Sequence, residues 1–487
     1  MAKVVIERGR VVVHEAPRGL EKALQFFRRE IKYNRRRKAR EATGHLEDLF
    51  DKDPDGTLTT FPGFAHRVLD YLRKHKVPFT VDDRRIPLPA PDFKAAGTGL
   101  RDYQVDVVLQ AIAAGGGIVS LATGGGKTAI AAAIIRAYDP EELKLRNTPL
   151  VVMAAPDKDI VRKNWEELRR FLPGREVGIV MSGKEEPSED VYSCTLDSLD
   201  RLNPREIGIL IVDEVHTAAA STRTMKISAI QNAARWGLSA TPTGRFDGGD
   251  MITEGLFGPI VASRTYAELV ELGALVPIEV CWLDAPGPDI NMYAFGQETR
   301  REARIRRGLI ENEPYNRFVA EVLRSVPDDN TAICFTEQIR QMAAIHRHAA
   351  DIPYVHGQTS GSTAQIGPVS AKERAEIYRK MREGGIPKIF ATGVWQTGVD
   401  FPSLDVVINA FGGGSDIVSA QMPGRATRTA DGKDIAYVVD FWHGWDRVSG
   451  GRPGPLLAGD FARRNVYRDL GFSQKKYTSI RELPFVR

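Results

Sequence analysis

Hydrophobic positions along this chain fall into two regimes. From Leu100 onward, short apolar runs alternate with stretches in which apolar residues recur roughly every three to four positions. That alternation predicts strands and amphipathic helices laid down as parallel α/β sheets. The runs Gly117–Ala122, Leu150–Ala154, Val177–Met181, Ile207–Val212 and Trp236–Ala240 predict the strands of a first sheet. Thr331–Thr336, Tyr354–His356, Lys388–Ala391, Val406–Ala410 and Ile435–Phe441 predict those of a second. Before Leu100 the pattern differs. Val4–Val13 alternates as a strand, a helix is expected after Pro17, and a second helix is expected over Gly63–Lys76. Ile86–Gly99 is rich in Pro, Gly and Ala and reads as a linker. The expected division is a small N-terminal α+β domain over 1–95, a first parallel-sheet lobe over 96–280, a connector over 281–310, a second lobe over 311–449 and a C-terminal extension over 450–487. The connector opens as a loop with Pro286 and Pro288 and continues as the basic run RREARIRRGLI.

Composition narrows the class. A chain of 487 residues, 42% hydrophobic and 27% charged, has the make-up of an ordinary globular protein too long for one core. No run approaches the roughly 18 apolar residues that a bilayer-crossing helix needs, and MAKVVIERGRVVV lacks the pattern of a signal peptide. Cys194, Cys281 and Cys334 are far apart, with neither disulfide-framework nor zinc spacing. A reducing cytoplasm is the expected location.

Net charge is +4 but uneven: residues 1–95 hold 21 Lys and Arg against 14 Asp and Glu. Lys32, Arg35, Arg36, Arg37, Lys38 and Arg40 cluster with no acid among them. Such a patch is either a nucleic-acid footprint or a solvated basic face.

The strongest chemical signal is ATGGGKT, Ala122–Thr128, which follows the apolar run IVSLA and opens an Ala/Ile-rich helix. Thr123, Gly124, Gly125 and Gly126 form a loop whose backbone N–H groups can turn toward phosphate oxygens, with the helix N-terminus adding its positive end. Lys127 is expected to reach the β- and γ-phosphates of ATP, and the Thr128 hydroxyl to ligate Mg²⁺. The strict phosphate-loop pattern is not met, because Leu121 stands at its first glycine. The second signal is ILIVDEVH, Ile209–His216, a buried strand delivering two acids to the carboxyl edge of the sheet. Asp213 is expected to hold Mg²⁺ through water, and Glu214 to act as general base on the attacking water.

Taken with four further blocks in the same order, these motifs resemble the superfamily 2 helicases, whose DExH box reads here Asp213-Glu214-Val215-His216. The resemblance covers about residues 97–445 and implies two RecA-like lobes with ATP hydrolysed between them. It assigns adenine reading to LRDYQ, with Gln104 as the base contact and Arg101 beside it. It gives GLSATP, Gly237–Pro242, a coupling role in which His216 links the acid box to that segment. It makes Gly398 and Asp400 of ATGVWQTGVD nucleotide sensors, and Gln421, Arg425 and Arg428 of QMPGRATR the arginine-finger motif.

The later series LFGPIV, ELVELGALVP and AKERAEIYRKMREG resembles the XPB and UvsW group, of bacterial or phage-infected cytoplasm. One position departs from it: Phe246 replaces the usual acid between Arg245 and Asp247. The resemblance implies an ATP-dependent DNA helicase or translocase acting on single-stranded, forked or branched DNA, with replication, recombination or defence proteins as possible company. Two other readings stay open: the motor of a restriction or antiviral assembly, and a nucleic-acid-binding scaffold with a regulatory ATP site. The resemblance also offers Pro156, Arg162, Thr195 and Thr392 as backbone contacts to nucleic acid, each equally readable as a loop cap. Trp395 could stack on a base or fill the core, and His356 reads as a structural histidine.

Overall fold

The computed structural model describes all residues except 35–38, 244–246, 299, 358–365, 396–400, 402–403, 414–421, 431 and 487. The chain divides into two compact units, Met1–Ala122 with Gly126–Arg264, and Thr265–Arg487 with Thr123–Gly125.

Among the described residues the first unit contains a five-stranded sheet, a two-stranded hairpin and an eight-stranded sheet. Its N-terminal part is a mixed five-stranded sheet in the order Phe50–Lys52, Leu58–Thr60, Val11–His14, Ala2–Ile6, Phe79–Asp83. The helix Ala65–Lys74 lays Val68 and Leu72 into the same core as Val4, Val11, Val13 and Leu58. The single strand expected over Val4–Val13 is an antiparallel hairpin. Its turn falls at Glu7–Arg10, where the Glu7 N–H donates to the Arg10 carbonyl at 2.9 Å. Three polar side chains and Gly9 there have no apolar face to continue the strand.

The helix expected after Pro17 is only a short 3₁₀ turn, Leu20–Leu24, after which the backbone extends at Gln25. A ten-residue hairpin follows, Gln25–Asn34 paired with Ala39–Asp48. Phe26, Phe27 and Ile31 suit a pleated surface better than a helix, and cross-strand bonds such as Gln25 to Asp48 (2.6 Å) and Arg28 to Glu47 (2.8 Å) tie the strands together. Lys32 and Arg40 fall on these strands, while Arg35, Arg36, Arg37 and Lys38 lie outside the described residues.

The second sheet of this unit has eight strands in the order 184–186, 177–181, 191–195, 150–155, 207–213, 234–239, 117–121, 260–264. All neighbours are parallel except the edge strand Lys184–Glu186. The five expected strands are present; Lys184–Glu186, Val191–Thr195 and Ile260–Arg264 are additional, and all three are too short and mixed to announce themselves. The small sheet is fixed to this one. Glu254, on the helix Asp250–Phe257, accepts from His66 Nε2 (2.9 Å) and from Arg67 Nε and Nη2 (2.6 Å each). The linker 86–99 has no regular structure, yet the domain it leads from is anchored by side chains.

The second unit is built on a seven-stranded, all-parallel sheet in the order 354–355, 388–391, 331–335, 404–409, 436–442, 278–284, 473–477. Two of these strands correct the expected boundaries. Ile278–Asp284 runs through the boundary at 280 and the start of the connector 281–310, because Val280, Cys281 and Leu283 are core residues, not a loop. Ser473–Tyr477 carries the extension 450–487 into the sheet edge. Behind that edge, Arg463 on the helix Pro455–Asp469 is fully buried and hydrogen-bonded to Asp440 and Asp460 at 2.9 Å. Two carboxylates around one guanidinium replace the water that a buried cation would otherwise need. No helix among the described residues is long and apolar enough to cross a membrane.

Candidate active site

Strand Gly117–Leu121 ends at the phosphate loop, and the helix Lys127–Arg136 begins directly after it. Gly124 and Gly126 hold φ of 87° and 84°, a region that side-chain-bearing residues avoid. Gln104 lies against Gly126 so closely that a Cβ there would collide with its Nε2. Its other amide atom, Oε1, accepts from the Arg101 N–H at 2.9 Å, which directs Nε2 toward the loop. Gln104 is 8% exposed. Local chain geometry alone thus joins the LRDYQ segment to the loop.

Strand Ile207–Asp213 brings the acids to the same sheet edge. Lys127 Nζ stands 3.6 Å from Glu214 Oε1. Glu214 has φ of 49°, a strained setting for a non-glycine residue and one that clusters at functional sites. The turn is held by the Glu214 N–H donating to Asp213 Oδ1 at 3.0 Å and the Thr217 N–H donating to the Glu214 carbonyl at 2.9 Å. Burial raises the Asp213 carboxyl above its ordinary range and the Glu214 carboxylate adds to the shift; Lys127, the Glu214 peptide N–H and the Asn164 amide oppose it.

Asn164 was not expected. It sits on the helix Lys158–Phe171, 1% exposed, and its Oδ1 accepts from the Thr128 hydroxyl at 3.4 Å. Its Nδ2 is buried and makes no hydrogen bond of good geometry among the described residues, although it lies near enough to Asp213 to lower that carboxyl. A buried donor left open costs free energy unless a ligand or water meets it. Its only sequence signal was an Asn among the apolar positions of the helix KDIVRKNWEELRRF, spaced with Ile160, Val161 and Leu168.

His216 extends the arrangement. Its Nδ1 lies 3.5 Å from Glu214 Oε2 and 3.1 Å from Ser239 Oγ, and that same hydroxyl accepts from the Thr241 N–H at 3.0 Å. A continuous polar line therefore runs from Lys127 through Glu214 and His216 to the Ser239-Ala240-Thr241 segment.

The donor set suits a phosphate chain and a hydrated divalent cation. The loop supplies backbone N–H groups and an ammonium, Asp213 and Thr128 supply hard oxygens, and the open Asn164 amide supplies a further donor. Among the described residues no group of three or more His, Cys, Asp or Glu could hold a metal by itself. Asp213 and Thr128 would therefore share a cation with phosphate and water oxygens.

In the second unit, Arg425 ends the 3₁₀ turn Pro423–Arg425. The segment is secured by the Val276 N–H donating to the Thr427 carbonyl at 2.7 Å and by a bridge between Leu275 and Arg428. Lys433, also unexpected, donates from Nζ to the carbonyls of Ala426 (2.7 Å) and Leu404 (2.5 Å). Burial pulls its ammonium down to about 8, against the nearby Asp405. Gln421, Gly398, Asp400, Arg245 and Phe246 lie outside the described residues.

The nucleic-acid candidates divide. Arg162 is exposed and pairs with Asp159 at 3.2 Å, and Pro156 is half-buried. Thr195 is buried and donates to Ser198 Oγ at 2.8 Å, and Thr392 is buried with its N–H donating to the Val355 carbonyl at 3.2 Å. Trp395 is a core residue, packed with Phe401 at 5.2 Å between ring centroids. His356 is buried with Nε2 3.0 Å from the Gly367 carbonyl, a structural setting.

Comparison with known proteins follows the same lines. Residues 98–244 match the family model described as "Type III restriction enzyme, res subunit", and residues 315–430 match "Helicase conserved C-terminal domain". The chain is 25% identical over 363 residues to the "DNA 3'-5' translocase XPB2" of Sulfurisphaera tokodaii, covering 68% of this chain and 79% of that one. It is 26% identical over 356 residues to the "ATP-dependent DNA helicase uvsW" of Enterobacteria phage T4, covering 69% and 67%. Across three of its curated relatives the match spans 66%, 79% and 59% of their own lengths. The fold is similar to that of yeast Dbp5 bound to RNA and ADP BeF3, with a TM-score of 0.53 at 14% identity over 77% of this chain and 89% of that one. Motifs and relatives agree: the chain carries the two matched helicase-family regions and is similar to the XPB and UvsW DNA helicases.

Proposed function

We propose that this chain is an ATP-driven DNA helicase or translocase that remodels duplex or branched DNA. The observation that carries the reading is the polar line from Lys127 through Glu214 and His216 to Ser239. It joins a nucleotide-binding loop to a segment outside the nucleotide site, which a motor needs and a simple nucleotide binder does not. In this reading Gln104, with Arg101, holds the adenine, and Thr123–Gly126 cradle the phosphates. Lys127 neutralises the β- and γ-oxygens. Thr128 and Asp213 hold Mg²⁺, which when bound offsets charge on the phosphates. Glu214 orients and deprotonates the attacking water. Arg425 and Arg428, with Gln421 in the same motif, stabilise charge on the transferring phosphoryl group, and Gly398 and Asp400 sense the nucleotide. DNA contacts go mainly to phosphates and give positioning without sequence preference. Replication, recombination or defence proteins are the expected partners, in a cytoplasmic setting.

The test is ATP turnover without nucleic acid and with single strands, blunt duplex, forks and four-way junctions. Strong stimulation by DNA, greatest on forks or junctions, is expected; turnover indifferent to every DNA would overturn the reading. The match of residues 98–244 to a restriction-enzyme subunit favours one second reading, the motor of a restriction or defence assembly. That motor would translocate on blunt duplex without separating strands.

A further inference from the structure

The hairpin Gln25–Asn34/Ala39–Asp48 has two unlike faces. Side chains alternate across a strand, so Phe26 and Phe27 point opposite ways. Phe26 packs toward the first unit's large sheet: its ring sits where a Cβ on Gly248 would be, at 2.8 Å, and the Arg29 N–H donates to the Asp247 carbonyl at 3.3 Å. Phe27 and Leu46 are directly opposed across the strands and each is 58% exposed. The Phe27 ring lies over Gly44, whose missing side chain leaves room for it to stay flat. Arg29, paired with Gly44 in the register, shares that outer face.

An exposed aromatic backed by a leucine, held flat and more than half open to solvent, is a surface built for contact. The charge around it selects the partner. Arg29 is on the same face, and residues 1–95 hold seven more cations than acids. That excess favours a polyanion with flat apolar faces, which is nucleic acid with exposed bases. An acid-poor apolar protein partner has no use for it.

We propose that the Phe27–Leu46 face is a base-stacking surface: Phe27 receives the face of a nucleobase unpaired at a single-strand–duplex junction. The inference rests on the reading of the chain as a DNA motor and adds the place where a junction is recognised. The hairpin is also tied to that motor at Asp247 and Gly248, which follow the Ser239–Thr241 segment and precede the helix Asp250–Phe257.

The experiment uses the full chain with Phe27→Ala, Phe27→Trp and Phe27→Ala/Leu46→Ala variants. The probe is a forked DNA carrying 2-aminopurine at the first unpaired position, compared with a blunt duplex. Stacking of about 1–3 kcal/mol per base corresponds to a loss of roughly 5- to 150-fold in fork affinity for Phe27→Ala. Recovery in Phe27→Trp is expected, with blunt-duplex affinity and DNA-free ATP turnover unchanged. The 2-aminopurine signal should respond to the wild type and Phe27→Trp and not to Phe27→Ala. Fork affinity and fluorescence equal to wild type in Phe27→Ala, in a protein whose turnover is still stimulated by DNA, would overturn the inference alone. A change in sedimentation from dimer to monomer with fork binding intact would overturn it too, by making this face a contact between copies. A wild-type protein whose turnover ignores DNA would remove the motor reading first, and the stacking surface with it.

Discussion

Lys127 Nζ faces Glu214 Oε1 at 3.6 Å, with both side chains largely withdrawn from solvent. In the proposed reading the ammonium and the carboxylate hold each other until phosphates take the lysine and water takes the glutamate. Lys127→Ala should abolish hydrolysis with little change in melting temperature, since no core contact is lost. Glu214→Gln should bind ATP with near-wild-type affinity and fail to turn it over. Nucleotide titration beside steady-state turnover separates the two; turnover surviving in either variant would refute the assignment.

Arg425→Ala should leave ATP affinity nearly unchanged and lower kcat by about 10³–10⁵ if Arg425 acts as an arginine finger. A variant with normal kcat and a raised KM would instead make it a binding residue.

Asn164 accepts from the Thr128 hydroxyl, proposed above as a Mg²⁺ ligand, and opposes the upward shift of Asp213. Asn164→Ala is expected to raise the Mg²⁺ concentration for half-maximal turnover roughly 10- to 100-fold, the usual scale for partners of ligating groups. Turnover at saturating Mg²⁺ should largely recover. A Mg²⁺ profile that superimposes on the wild type would leave Asn164 a packing residue.

His216→Ala should separate hydrolysis from work. Its imidazole bridges Glu214 and Ser239, so DNA-free turnover should fall modestly while stimulation by DNA and strand separation fall much further. Equal losses in all three would mean that His216 supports only the fold of the acid box.

Glu254 gives a pH prediction. Burial alone would raise its carboxyl, but the bonds from His66 and Arg67 outweigh burial and bring it down to about 2 from 4.5. A depressed folded-state value means that the ionised group stabilises the fold above about pH 4.5 and that this contribution fades as pH falls toward 2. Glu254→Gln should lower stability at neutral pH by about 1–3 kcal/mol and flatten the pH dependence between those limits. It should also speed proteolysis within 86–99. Urea midpoints across this pH range, with limited proteolysis, check both; matching curves would show that the small sheet is held elsewhere.

How legible all this was depended on where the determining contacts lie. Ile209–Val212 and Leu150–Ala154 are buried on both faces, so their apolar runs announced a parallel sheet, and the ATGGGKT and DEVH motifs announced a glycine loop and an acid pair that meet at one sheet edge. Asn164 and Lys433 were not legible, because their partners, Thr128 and the Ala426 carbonyl, are brought to them by folding. The hairpin at Gln25–Asp48 was misread as a helix because LEKALQFF has helical spacing for one turn, and only cross-strand pairing decides against it. Ile278–Asp284 was misread in a similar way: Pro286 and Pro288 suggested a break, while the strand's neighbours come from much later in the chain.

That last strand also sets the order in which the protein can be made. Ile278–Asp284 lies between Ala436–Trp442 and Ser473–Tyr477, so its first hydrogen-bonding neighbour is roughly 160 residues downstream, a long-range pairing of the kind that slows folding. During synthesis the segment IEVCWLD therefore waits with both edges open. Such an apolar strand readily pairs with the same segment of a neighbouring nascent chain. The first unit needs nothing beyond Arg264 for its own strands and can close while the ribosome is still translating. A chain interrupted before Ala436 should consequently yield a folded, nucleotide-binding first half that drags an aggregating tail. Holdase chaperones should be found on nascent chains chiefly between the emergence of residues 284 and 442.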